Sequence, residues 1–311
     1  MKRKVLILCL IILFLLSSCT KKEESTEMKE NKEKIPEELT QVQENVGKVI
    51  EEIEKIMKEE EKPIFVEEKD KKEEEDSEKE QDSQQQGQGS DSSSGGQSEG
   101  QSGGSQGSEN PQSVIPPEEK TYEEKKEEEK IKKYEKIEKN WMDLSKTIEK
   151  IHTNWGKYKV KAMEKGINTD TISQTENHLN NLTIAVGKKE KINSLKQSDK
   201  LIFSLGNYFD LYKGNIEGDL NRITYIAREI YLYALEEDFE KAKQVSKEYE
   251  SYFSMLRQKI NIEKKDEKHL YTLEISIKDL INSLNYKDIN LVKIKRDVVL
   301  DNIEKIKEVA N

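Results

Sequence analysis

Cysteine is nearly absent from this sequence: there are two, Cys9 and Cys19, both before residue 20. The rest of the chain therefore has no disulfide, no thiolate zinc site, no redox dithiol and no cysteine nucleophile. Apolar residues are scarce too. Hydrophobic residues make up 33% and aromatics 6% of the chain, against 37% charged, and the mean hydropathy is −0.93. That excludes one large domain built around one core. No apolar run reaches bilayer-spanning length, since the longest uninterrupted one, Val5 to Leu16, has only a dozen residues. Catalytic signatures are missing as well: the sequence contains no Gly-x-Ser-x-Gly, no His-Glu-x-x-His and no phosphate-binding glycine loop.

The charge is unevenly distributed. Residues 1–19 carry a net +3, residues 20–119 a net −16 from 13 basic and 29 acidic residues, and residues 120–311 a net +3. Only the third region has enough periodic apolar sequence for a core. In the first, Lys2-Arg3-Lys4 and the Val5–Leu16 run form the basic and apolar parts of a signal peptide. The run ends in Leu16-Ser17-Ser18-Cys19, which resembles the lipobox of bacterial lipoproteins. The resemblance covers residues 1–19. It implies cleavage before Cys19, so that 1–18 is removed, and acyl chains on Cys19 that hold the protein in the lipid bilayer. It also implies a place on the extracytoplasmic face of the cell membrane, or on the outer membrane of an organism with two membranes, since Thr20 is not the Asp of retention signals. Two or three acyl chains suffice for lasting attachment.

Residues 19–35 are polar and read as disordered. Residues 36–62 read as a short amphipathic helix. Leu39, Val42, Val46, Val49, Ile53 and Ile56 recur at spacings of three and four, and Pro36 suits a first turn. Such a stripe docks on the main domain or on a copy of itself, and the pattern does not say which. Residues 63–119 read as a disordered acidic linker, because positions 81–113 contain no aliphatic, aromatic or basic residue. As a flexible leash ahead of the domain it would span roughly 40–45 Å r.m.s..

Residues 120–311 read as an all-α domain, a long-helix bundle after the tether. The 3/4 alternation of Ile131, Tyr134, Ile137, Trp141, Leu144, Ile148, Ile151, Trp155, Tyr158 and Ala162 predicts one coiled-coil-like helix from about Tyr122, ended by Gly166. A second helix follows, capped by Thr169 or Asp170 and ended near Gly187. The others are predicted over 191–212, 217–235, 239–262, 266–284 and 289–309. The turns at 236–238 and 285–288 read alike, and the paired helices around them are similar to tetratricopeptide-type hairpins. That family's Trp/Gly/Tyr pattern and 34-residue period are missing, so a plain bundle is the expectation.

Two frames, Glu149-x-x-His152 and Asp266-x-x-His269, have the i, i+3 spacing with which carboxylate bundles hold metal ions. The first lies off the Ile148/Ile151/Trp155 seam, and His178 has no partner in frame, so no metal site or cofactor is expected. No catalytic residue is nominated and an enzyme is not expected. The near-neutral domain with interleaved Lys and Glu argues against nucleic acid. Eleven of the twenty aromatics fall between residues 203 and 253. Most suit a core, but Tyr225, Tyr231 and Tyr233 with Arg222 and Arg228 are candidates for a ligand groove. The expected function is a non-enzymatic interaction or scaffold module with an envelope protein partner. The alternative is a solute- or metal-binding component of an uptake system.

Overall fold

The computed structural model describes residues 32–64 and 120–310, so the signal segment, Cys19 and the 65–119 stretch lie outside the described residues. These contain nine α-helices, one 3₁₀ turn and no strand: α1 Glu37–Glu61, α2 Tyr122–Glu164, α3 Thr169–Gly187, α4 Lys191–Phe209, α5 Glu217–Leu235, α6 Phe239–Ser246, α7 Tyr249–Lys259, α8 Glu267–Ser283 and α9 Ile289–Ala310. The protein is an all-α helical bundle. The described residues fall into two compact units, a larger one of 32–57 with 140–310 and a smaller one of 58–64 with 120–139.

In the larger unit, consecutive helices pack in pairs from α3 to α6, and α8 pairs with α9. Helix α5 is the hub, packing against α4, α6, α7, α8 and α9 and burying thirteen of its nineteen residues. Two glycines let α4 and α5 approach closely. A Cβ on Gly218 would stand 2.6 Å from Asp210 Oδ1 and 2.7 Å from the Gly206 carbonyl oxygen. An aromatic junction of Trp155, Tyr158 and Tyr208 joins α2 to α4, with Trp155 edge-on to Tyr208 at 5.1 Å and the Tyr208 hydroxyl 3.0 Å from Thr175 Oγ1 on α3. A second apolar cluster runs from Ile216 through α9.

Helix α1 up to Met57 is part of this unit. Leu39, Val42, Val46, Val49, Ile50, Ile53 and Ile56 are all 0% exposed. Its entry is tied down as well: Glu33 N donates to the Lys213 carbonyl at 2.9 Å, Asn215 Nδ2 donates to the Glu33 carbonyl at 2.9 Å, and Lys161 pairs with Glu38 at 2.8 Å. This changes the leash expectation. Residues 65–119 connect α1 and α2, each of which has its longer part in the larger unit, and the chain from Cys19 enters that unit at α1 before it reaches them, so they do not set its distance from Cys19. That distance rests on residues 20–31, a stretch that at full extension reaches only about 45 Å.

Local chemistry accounts for the helix limits. The reciprocal bonds Thr121 N to Glu124 Oε2 (2.9 Å) and Glu124 N to Thr121 Oγ1 (3.3 Å) form a capping box that starts α2. Gly166, at φ +87°, ends it, with Ile167 N reaching back to the Ala162 carbonyl. The cap of α3 is Asn168 rather than Thr169 or Asp170, because its extended backbone lets Oδ1 accept from Thr171 N at 2.7 Å. The 239–262 prediction divides into α6 and α7. Ser246 Oγ donates to the Lys243 carbonyl at 2.9 Å, and two i−3 bonds tighten the backbone at Lys247 and Glu248. Helix α4 ends at Phe209, three residues short of the prediction, and Tyr212 turns into the core, its hydroxyl 3.5 Å from that of Tyr158. The two similar turns are built alike: left-handed Glu237 and Lys287 each precede an aspartate, Asp238 or Asp288, whose carboxylate accepts from the third residue on.

In the smaller unit, Lys133 Nζ donates to the carbonyls of Glu60 (2.8 Å) and Lys62 (2.7 Å), and Lys136 pairs with Glu59 at 3.0 Å. These cations sit where carbonyls at the end of α1 lack helical donors. The seam expected on α2 is not buried here: Ile131 and Tyr134 are exposed, and burial starts at Ile137.

Gly218→Ala should lower stability by about 1–3 kcal/mol, because the added methyl meets backbone that cannot move aside. Gly156→Ala, with nothing within 4 Å, should raise it by up to about 1 kcal/mol; paired thermal melts check both signs. A fragment starting at residue 120 should lose the sharp melt of the full chain, and a synthetic peptide of residues 32–64 added in trans should restore it.

Candidate functional site

The five residues of the candidate groove share α5 but not a face. Arg222, Tyr225 and Tyr233 follow one line along the helix with Glu229, and Arg228 and Tyr231 follow another with Asn221 and Thr224. On the first line, Tyr225 packs on Phe203 at 4.8 Å, and Tyr233 lies under Lys241 and Lys196 at 4.8 and 5.6 Å. Arg222 Nη2 donates to Asp210 Oδ2 at 2.5 Å and to Asn207 Oδ1 at 3.2 Å, and Nη1 lies 3.6 Å from Asp219. Asp219, itself fully buried, is met by Lys259 Nζ at 2.8 Å. Lys259 thereby holds its proton more tightly, the two aspartates outweighing the burial that works against its charge. No single tyrosine-lined groove forms, because tertiary packing directs the two lines to different neighbours.

The second line leads to a chain of buried charges. Arg296 of α9 lies 4.2 Å from the Tyr231 ring and grips Glu54 of α1 with both ends of its guanidinium, at 2.7 and 3.3 Å. It also donates to Asp297 from Nε at 2.8 Å and from Nη2 at 2.5 Å. Arg228 follows, with Nη1 3.6 Å from Glu54 Oε1 and Nε 3.8 Å from Asp199 Oδ1, contacts beyond hydrogen-bond reach. Asp199 is 1% exposed. Burial pushes its pKa up to about 7; Arg228 pulls the other way without offsetting that, and Glu229 adds to the rise. Burial likewise raises the Glu229 carboxyl.

Above Arg228 a cleft of about 560 Å³ opens between α1, α5 and α9. Asn221, Thr224 and Arg228 form its floor, with Ile202 beside them. Gln43, Glu44, Gly47, Lys48 and Glu51 line the α1 side, and Leu300, Asp301, Ile303, Glu304 and Lys307 the α9 side. Asn221 Nδ2 donates to Gln43 Oε1 at 2.7 Å, which closes the floor toward α1.

The histidine frames do not converge on a metal. His152 Nε2 shares a 2.8 Å hydrogen bond with Thr183 Oγ1, and no group of three His, Cys, Asp or Glu among the described residues could hold an ion. Desolvation lowers the pKa of His152 and of His178. No helix among the described residues is long and apolar enough to cross a membrane. Compared with protein-family models, curated proteins and solved structures, the chain matches none.

Reasoning from the sequence passed over Glu54, Asp199 and Arg296, yet a signal was there. Asp199 falls in the apolar phase of Leu195 and Ile202, Arg296 in that of Val292, Val299 and Ile303, and Glu54 one turn from Ile50. A charge at a core phase must pair or stay neutral.

The buried Asp199 carboxyl makes stability depend on pH. Between about pH 4 and 7 the folded state holds a proton that the unfolded chain has released, so this group lowers stability as the pH rises through that window. Asp199→Asn should therefore raise the melting temperature relative to wild type at pH 8 and change it little at pH 4. An equal difference at both values would contradict the assignment.

Proposed function

We propose that this chain is a lipid-anchored extracytoplasmic protein whose helical bundle is a non-enzymatic interaction module at the cell envelope. The anchoring reading rests on Leu16-Ser17-Ser18-Cys19 behind its basic and apolar segments. One surface carries the interaction reading. On the α8–α9 hairpin, Tyr271 and Ile275 stand one turn apart, as do Ile294 and Val298, and all four are exposed, by 56, 61, 59 and 43%. The Lys295–Asp279 ion pair, at 3.1 Å, bridges the two helices at this face. Large aliphatic and aromatic side chains grouped on one face mark protein-binding surfaces, and the partner that fits is an envelope protein presenting an apolar helix or groove. A solute-binding component of an uptake system is the second reading, favoured by the cleft over Arg228.

Cys19→Ser should move the protein from the membrane fraction to the soluble fraction and abolish incorporation of labelled palmitate. A photo-crosslinking residue at Ile275, introduced in the producing cells, should give one discrete protein adduct that the same probe at exposed Glu190 does not. Adducts with lipid alone, or none, would overturn the interaction reading.

A further inference from the structure

The cleft between α1, α5 and α9 is distinct from the apolar face of the hairpin, and its chemistry is more selective. Arg228 provides the first constraint. Its side chain is 15% exposed, and the nearest carboxylates lie outside hydrogen-bond reach, at 3.6 and 3.8 Å. The first of these, Glu54, is already held by Arg296 at 2.7 Å, and the Arg228 Nε makes no hydrogen bond among the described residues. A guanidinium offers five donors in a planar fork that matches a carboxylate. The Nε side is buried against Asp199, so what the cleft meets is the partly exposed end of a guanidinium held only by long ion-pair contacts, a shape suited to an oxyanion.

The rim provides the second constraint. Four carboxylates, Glu44, Glu51, Asp301 and Glu304, face two lysines, and one of these, Lys307, is paired with Glu304 at 2.7 Å. A free anion would be attracted by Arg228 but repelled at the rim, whereas a free cation would meet the reverse. A molecule with both charges a few ångströms apart satisfies both. Between floor and rim, Ile202, Leu300 and Ile303 add an apolar wall. The volume of about 560 Å³ falls in the range of small-molecule sites, about 300–1,000 Å³.

Gly47 is the third observation. It sits inside α1, where glycine costs up to about 1 kcal/mol relative to alanine, and a Cβ there would meet nothing within 4 Å. The cleft is open at this position, with no packed neighbour that requires the glycine.

We propose that this cleft binds a zwitterionic solute of the amino-acid or short-peptide class, its carboxylate seated on Arg228 and its ammonium group held by the acidic rim. The proposal rests on the second functional reading and is independent of the hairpin face. A failure here leaves the crosslinking result untouched.

The test uses the full chain in detergent, with L-leucine and the dipeptide alanyl-leucine as probes in calorimetric titrations and thermal melts. Two analogues carry one charge each: 4-methylpentanoate lacks the ammonium group of leucine, and isoamylamine lacks its carboxylate. At least one zwitterion should bind saturably and raise the melting temperature, with each single-charge analogue at least tenfold weaker. Arg228→Gln should abolish binding. Gly47→Phe, which fills the cleft from an uncrowded position, should abolish it while leaving the melt of the unliganded protein in place. Absence of saturable binding by either zwitterion at millimolar concentration would overturn the proposal. So would equal binding of 4-methylpentanoate, which would mean an anion site, or binding that survives Gly47→Phe, which would place the ligand elsewhere.

Discussion

Seven aliphatic side chains of α1, from Leu39 to Ile56, lose all contact with water in the larger unit. At about 1.5–3 kcal/mol for each fully buried side chain, their transfer out of water is worth on the order of 10–20 kcal/mol, an upper figure because the unfolded chain also hides surface. Net stabilities of domains are about 5–15 kcal/mol. A single helix contributing a term of that size belongs to the fold. The cleft depends on this burial too, since one of its sides is α1 and its floor is fixed to α1 through Asn221 and Gln43.

Burial supplies the strength of that docking, and the Glu54–Arg296 pair contributes register. An aliphatic stripe can slide by a turn at modest cost, but Arg296 is 2% exposed, and a shift of α1 would take Glu54 from its guanidinium and leave Asp297 as its one carboxylate partner. Breaking such a pair costs about 3–5 kcal/mol, although the intact pair contributes little net stability. The residues it joins are 242 apart in sequence. That separation is long for a helical protein, and contacts of this kind slow folding because the loop must close before they form.

Much of the architecture was legible in the sequence where periodicity and punctuation agreed. The limits of α5, Glu217 and Leu235, follow directly from the apolar pattern, and Gly166 marks the end of α2. The break between α6 and α7 was hidden because it comes from a serine bonding backward, with neither glycine nor proline to signal it. The stripe on α1 showed that something would be covered but could not name its neighbours, since periodicity carries no information on long-range pairing. The candidate site suffered similarly. Arg228 was singled out, but with Tyr225 and Tyr233, which face elsewhere, and the cleft above it needs residues from three distant stretches of chain.

With the lipid anchor proposed for Cys19, the connectivity around α1 bears on how the protein would be lost from a surface. Residues 65–119 join helices that each bury residues in the larger unit, so closing that connection adds a loop entropy that grows only as the logarithm of its length. A protease cutting anywhere in it would leave α1 seated by its seven aliphatic side chains and its clamp to Arg296. The fragment carrying Cys19 and the fragment carrying the rest of the bundle would stay associated. Shedding would require a cut between Cys19 and Lys32, a target several times shorter than the acidic stretch that draws the eye in the sequence.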